Sequence, residues 1–84
     1  MLEKGRVVRS LAGRDKGYLL VVLQTDGKRA LLCDGKERPV SRPKSKNIRH
    51  IEPTGFLLTS EEMRSDRALK KAIGRIIREN GSNI

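Results

Sequence analysis

Aromatic residues are almost absent from this chain of 84 residues, which has one Phe, one Tyr and no Trp. Its core must be built from Val, Leu, Ile and Ala, which suffices for a small sheet or barrel but not for a roomy ligand pocket. We therefore expect no enzyme with an enclosed active site, no small-molecule substrate and no cofactor. If the partner is a nucleic acid, the scarcity of aromatics argues against stacking of bases on exposed rings and favours recognition of folded RNA by its shape and backbone.

Cysteine and histidine are equally scarce, with one of each. Cys33 has no partner for an internal disulfide, and a lone His50 cannot complete a zinc site, so neither a metal site nor a catalytic group is expected. We expect Cys33 in the core and His50 as an exposed or hydrogen-bonded residue. No run approaches the ~20 apolar residues that cross a membrane, and no apolar segment follows Met1–Gly5 as in a signal peptide. These absences favour a cytoplasmic location.

Positive charge is what the chain has in excess. Nineteen Lys and Arg against ten Asp and Glu give a formal net charge of +9. A solvated surface is the simplest explanation, but an excess this large favours a polyanionic partner, which would be nucleic acid, an acidic protein or an anionic membrane surface. More than half of the excess lies in residues 36–50, which hold six basic residues and one acidic residue.

Polar turns divide the first half of the chain into short apolar runs. Asp26–Gly27 and Asp34–Gly35 are hairpin signals, and Pro53 is expected to stop the last run. The predicted strands are 6–10, 18–23, 29–33, a short edge strand 37–40 and 47–51. The predicted turn glycines are Gly13, Gly17, Gly27 and Gly35. Strands this short and closely spaced predict a mainly β fold, a small antiparallel barrel followed by one C-terminal helix.

The last third of the chain predicts a helix over 60–79. Thr59 and Glu62 have the spacing of a capping box at its start, and Asn80–Gly81 is a stop signal. Apolar residues recur at helical spacing from Leu69 to Ile77, so one face is expected to cover the strand at 18–23. Gly74 lies on the opposite side, where it either permits close approach of a backbone or is merely tolerated. Tyr18 and Phe56 are expected in the core, with Phe56–Leu58 anchoring the helix.

The segment between the first two strands is a charged turn with Arg14 and Lys16 at its tip. Loops held by a rigid sheet are frequent binding sites, so these two cations are candidates for contact with a partner. Asp15, between them, is expected to form hydrogen bonds to the local backbone, as aspartates in turns usually do. The polar and basic connection at residues 41–46 belongs to a second basic region, residues 36–50, whose Lys and Arg side chains are expected to reach phosphates without being fixed in a packed surface. The residues predicted to bind RNA are Arg14, Lys16, Lys36, Arg38, Arg42, Lys44, Lys46 and Arg49, with the helix stripe of Arg64, Arg67, Lys71, Arg75 and Arg78.

Residues 5–52 resemble a KOW domain. Val7 to Cys33 spans the roughly 27 residues of that motif, with Gly17 at the eleventh place, where the motif has its glycine. The runs that carry the resemblance are Gly5-Arg6-Val7-Val8, Ala12-Gly13-Arg14-Asp15-Lys16-Gly17 and Asp34-Gly35-Lys36. They are similar to the KOW domains of certain eukaryotic and archaeal large-subunit ribosomal proteins. The likeness is closer to small bacterial KOW-domain RNA-binding proteins, in which a segment like Pro43-Lys44-Ser45-Lys46-Asn47 and a following His like His50 recur.

The resemblance implies an SH3-like barrel over residues 1–53, with 54–84 as a helical extension outside the motif. It also implies RNA binding on the ribosome, with the loop residues 14–16 touching RNA. We therefore expect a non-enzymatic module that binds structured RNA, above all ribosomal RNA, with ribosomal proteins as further partners. One alternative is a protein-interaction module of the transcription or translation machinery, as in KOW domains of elongation factors. A third, binding of the helix to an anionic membrane, is disfavoured because its apolar face lacks bulky aromatics.

Overall fold

A computed structural model describes residues 2–80 as one antiparallel sheet and one helix. The elements are β1 Arg6–Ser10, β2 Leu19–Thr25, β3 Arg29–Cys33, β4 Lys44–Asn47, a 3₁₀ turn Ile48–His50, β5 Ile51–Leu57 and α1 Asp66–Asn80. The strand order across the sheet is β4-β3-β2-β1-β5, so the last strand returns to pair with the first. The prediction of a mainly β fold with one C-terminal helix is confirmed.

The first three strands lie where their apolar runs predict them, because the signals that define them are local. Val7 lies opposite Val21 in the β1–β2 pair. At the β2–β3 turn the Asp26 carboxylate accepts the N–H groups of Lys28 at 2.8 Å and Arg29 at 2.9 Å. The four predicted turn glycines all have positive φ, between +78° and +92°.

The prediction for residues 37–51 is wrong in two places. Residues 37–40 form no strand, and the fourth strand is instead Lys44–Asn47, within the expected basic connection. Residues 48–50 form a 3₁₀ turn, and the last strand runs from Ile51 to Leu57 without stopping at Pro53. A proline is tolerated there because β5 is an edge strand. The predicted domain boundary between residues 53 and 54 therefore falls inside a strand.

The two faces of the sheet bury separate apolar clusters, because alternate residues of β1 and β2 point to opposite sides. The helix-side core consists of Val7, Leu19, Val21, Cys33, Leu58, Leu69, Ala72, Ile73 and Ile76. The inner core, on the other face, consists of Val8, Leu20, Val22, Ala30, Leu32 and Ile51. The helix thus covers one face of β2, as expected, and Phe56 packs against the helix-side core. The expectation for Tyr18 is wrong, since it is 53% exposed.

The helix starts later than predicted, at Asp66. The capping box does form: the Thr59 N–H donates to Glu62 Oε1 at 2.9 Å and the Glu62 N–H donates to Thr59 Oγ1 at 3.2 Å. It closes a separate turn, however, and Ser65 caps the helix by accepting the Ala68 N–H at 3.1 Å. Arg64 therefore precedes the helix, and the predicted stop at Gly81 lies outside the described residues. Within residues 2–80 there is no helix with the length and apolar character to cross a bilayer.

Candidate nucleic-acid interface

The loop between β1 and β2, residues 11–18, is fastened to the rest of the protein at three points. The Lys46 ammonium donates to the Ala12 carbonyl at 2.8 Å. The Arg38 guanidinium donates to Asp15 Oδ2 from Nη2 at 3.1 Å and from Nε at 3.3 Å. The Leu11 N–H donates to the His50 carbonyl at 2.8 Å. Contacts from a loop, a strand and a 3₁₀ turn thus give the loop a fixed conformation.

Arg14 and Lys16 stand exposed on this fixed loop, as predicted. Neither forms an ion pair within residues 2–80. The expectation for Asp15 is wrong: only 5% of the residue is exposed, and its carboxylate pairs with Arg38 instead of its own backbone. Asp15 is therefore turned toward the protein, and the loop offers an approaching ligand two cations without the acid between them.

The basic region of residues 36–49 divides into exposed cations and cations with structural partners. Lys36, Arg42, Lys44 and Arg49 are exposed. Lys46 is only 8% exposed, and the side chain of Arg38 is 27% exposed, against the expectation that this region reaches phosphates freely. Their long side chains instead hold the β1–β2 loop, and removing Arg38 would leave the Asp15 carboxylate buried and unpaired, which is costly.

The helix stripe is less purely positive than its spacing predicts. Arg64 pairs with Glu61 at 2.9 Å and Arg75 pairs with Glu62 at 2.7 Å, both acids coming from the turn before the helix. Hydrogen bonds from the Thr59 N–H and from Arg75 hold the pKa of Glu62 below its ordinary value of 4.5. The stripe residues without an ion pair in the described part of the chain are Arg67, Lys71 and Arg78.

Sequence reasoning missed a groove beside the helix. It has a volume of about 1160 Å³ and is lined by α1, by the segment Gly17–Leu19 and by residues of the turn at 34–37. Arg9, Tyr18 and Lys70 line it, and none of them was among the predicted site residues. The one signal available was the position of Tyr18, an aromatic residue placed directly after a turn glycine instead of inside the apolar run.

The site residues supply positive charge and hydrogen-bond donors. His50 is exposed at the end of the 3₁₀ turn. Burial, with the charges of Asp34 and Asp66, raises the pKa of the Cys33 thiol to about 12, so this thiol stays protonated. Across residues 2–80, no three His, Cys, Asp or Glu side chains lie close enough together to hold a metal ion.

No protein-family model matches the chain.

Proposed function

We propose that this protein is a non-catalytic cytoplasmic module that binds structured RNA, with ribosomal RNA as the expected partner. The observation that carries the proposal is the presentation of Arg14 and Lys16 on a loop held by Lys46 and Arg38. Cations on a loop that is already ordered bind phosphates with little further loss of backbone freedom. Contacts to phosphates position a protein on RNA without reading its sequence.

The surrounding surface supports the same partner. Of the residues predicted to contact RNA, nine are both exposed and without an ion pair among residues 2–80. They are Arg14, Lys16, Lys36, Arg42, Lys44, Arg49, Arg67, Lys71 and Arg78. Binding that depends on such cations releases counterions from the nucleic acid, so it weakens steeply as salt is added.

We further propose that the sheet is an SH3-like barrel of the KOW type, as the resemblance implies. Its two edge strands, β4 and β5, are joined by only three residues. Four peptide units from Asn47 to Ile51 reach at most about 14 Å, whereas the edges of a flat five-stranded sheet lie about 19 Å apart. The sheet therefore has to curl, and the inner core, which lies on the opposite face from α1, is on the face that a barrel would enclose.

Salt dependence tests the proposed function. The protein is expected to sediment with ribosomal subunits at roughly 50 mM salt and to be released at roughly 200 mM. Binding that does not change with salt would contradict the phosphate contacts. Retention of a protein partner after nuclease treatment, without binding to RNA, would favour the protein-interaction alternative.

Two sets of substitutions locate the main contact. Replacing Arg42, Lys44 and Arg49 together by Ala should weaken RNA binding more than replacing Arg67 and Arg78 by Ala. All five side chains are exposed, so both variants should keep the stability of the parent protein. The reverse order would make the helix the main contact surface.

A further inference from the structure

The groove beside α1 combines an apolar floor with a basic rim. Two of the large apolar side chains that the protein leaves exposed lie in it, Tyr18 at 53% and Ile77 at 48%. Leu19 and Ile73, which line it as well, connect this floor to the helix-side core. At about 1160 Å³ the groove is larger than the sites that hold single small ligands, and it is open to solvent.

Gly74 lies in this groove, and nothing within residues 2–80 requires a glycine at this position. Its φ is not positive, and a Cβ built on it would meet only Arg78 Nη1, at 3.5 Å. A glycine weakens the interior of a helix, and nothing in the packing of residues 2–80 offsets this. What the missing side chain does provide is bare helix backbone in the lining of the groove that Tyr18 also lines.

The rim of the groove favours an anion. Its basic residues are exposed or half-buried and form no ion pair in the described chain: Arg9, Lys36, Arg67, Lys70, Lys71 and Arg78. Two acids also line it, Asp34 and Glu37. The Asp34 carboxylate already accepts the N–H groups of Lys36 and Arg38, both at 2.9 Å. Glu37 is then the one carboxylate on the rim without such bonds.

We propose that this groove binds an unpaired nucleotide of the RNA, with its base stacked on Tyr18 above Gly74 and its phosphates held by the basic rim. An exposed aromatic ring among cations is the arrangement that binds a single strand without reading its sequence. The inference rests on the proposed RNA-binding function and narrows it. The RNA that binds has an unpaired nucleotide beside the structured part, and recognition is not by shape alone.

Tyr18 reports on its own site, because the chain has one Tyr and no Trp. The probes are a uridine oligomer of about ten nucleotides and a blunt RNA duplex with the same number of phosphates. The oligomer should quench the tyrosine fluorescence on binding, and the duplex should bind without quenching it. Equal quenching by both RNAs would overturn the inference, because the duplex has no unpaired base to stack.

Substitutions at the floor of the groove test the contact directly, with affinity measured by the anisotropy of labelled RNA. Tyr18→Leu should weaken binding of the oligomer about tenfold, the loss of one stacked base, and leave duplex binding unchanged. Tyr18→Phe should keep the affinity, because the ring is retained. Leu57→Ala is the matched control, since Leu57 is 51% exposed and lies outside the groove.

Gly74→Ala gives a second, independent readout. It should raise the melting temperature, because alanine favours the helix, and lower the affinity for the oligomer, because the methyl group occupies the floor. A variant that melts higher and binds the oligomer as before would overturn the inference.

The outcomes separate this inference from the proposed function. If both RNAs bind with steep salt dependence but Tyr18→Leu binds the oligomer as the parent protein does, the groove inference is wrong and RNA binding stands. If neither RNA binds, the proposed function itself fails. A protein captured after nuclease treatment and lost in Tyr18→Leu would assign the groove to a protein partner and overturn the inference.

Discussion

Lys44 and Lys46 lie two residues apart in β4, and replacing each by Met should have different consequences. Lys44 is exposed, whereas Lys46 is 8% exposed and donates to the Ala12 carbonyl at 2.8 Å. Methionine keeps most of the aliphatic stem and removes only the charge and the donor. The pair therefore separates a lysine that holds the loop from one that is free to contact RNA.

The expected loss of stability follows from the hydrogen bond. A bond to a charged donor contributes about 1.5–3 kcal/mol, and relief from burying the ammonium offsets part of this. We expect Lys46→Met to lose about 1.5 kcal/mol, which lowers the melting temperature by about 6–12 °C in a domain of this size. Lys44→Met should stay within about 0.5 kcal/mol of the parent protein.

Thermal unfolding followed by circular dichroism measures the first effect, and a salt titration of RNA affinity measures the second. Lys44→Met should reduce the slope of log K against log salt by about 0.7–0.9, the contribution of one phosphate contact. Lys46→Met should leave the slope unchanged. If Lys46→Met melts at the same temperature as the parent protein, the Lys46 ammonium does not hold the loop. If Lys46→Met flattens the slope as much as Lys44→Met does, the ammonium contacts RNA.

Three further predictions concern the fold. Gly35→Ala should lower the free energy of unfolding, measured by chemical denaturation, by about 3 kcal/mol or more, because φ is +79° and the new Cβ would collide with the Asp66 carbonyl. Gly27 has open space around it and φ +92°, so the control Gly27→Ala should lower it by only about 1–2 kcal/mol. Equal losses would refute the collision. Cys33, whose pKa burial raises to about 12, should react with a thiol reagent at pH 8 only as fast as the protein unfolds; immediate reaction would contradict its burial. The lowered pKa of Glu62 means that its contribution to stability is present above its ordinary pKa of 4.5 and is lost as the pH falls through the folded value. Melting temperatures between pH 6 and 3 should therefore fall less steeply for Glu62→Gln than for the parent protein, and parallel curves would refute this.

The parts of the fold that the sequence predicts are those with local causes. β2 is an apolar run, and an Asp–Gly pair separates it from β3. β4 has the sequence Lys-Ser-Lys-Asn, without an apolar residue, and is a strand only because it pairs with β3, with Lys46 opposite Ala30. β5 passes through Pro53 because it lies at an edge. No local sequence pattern predicts that residues 44–47 form a strand or that β5 continues through Pro53.

The same distinction applies to the candidate site. The exposure of Arg14 and Lys16 follows from their place in a glycine-bounded turn. The partner of Asp15 is 23 residues away, and the carbonyl that accepts from Lys46 is 34 residues away. Whether a Lys or Arg side chain holds the loop or stays free depends on these distant pairings. Composition alone therefore predicts that Lys46 contacts RNA. The exposure of Tyr18 likewise depends on where α1 packs.

The return of β5 to β1 sets the order in which this protein folds as it is made. β1 through β4 are neighbours in the sheet in chain order and can pair as they emerge, but β1 receives its second neighbour only when residues 51–57 arrive. The helix that covers Val7 and Val21 arrives later still. Until then, the apolar face of the first hairpin is exposed to water and open to wrong association. Pairing of distant segments is slow, so we expect docking of β5 and α1 to be the late step of folding. β1 then gains its second strand neighbour and its helix cover only after β1 to β4 have paired.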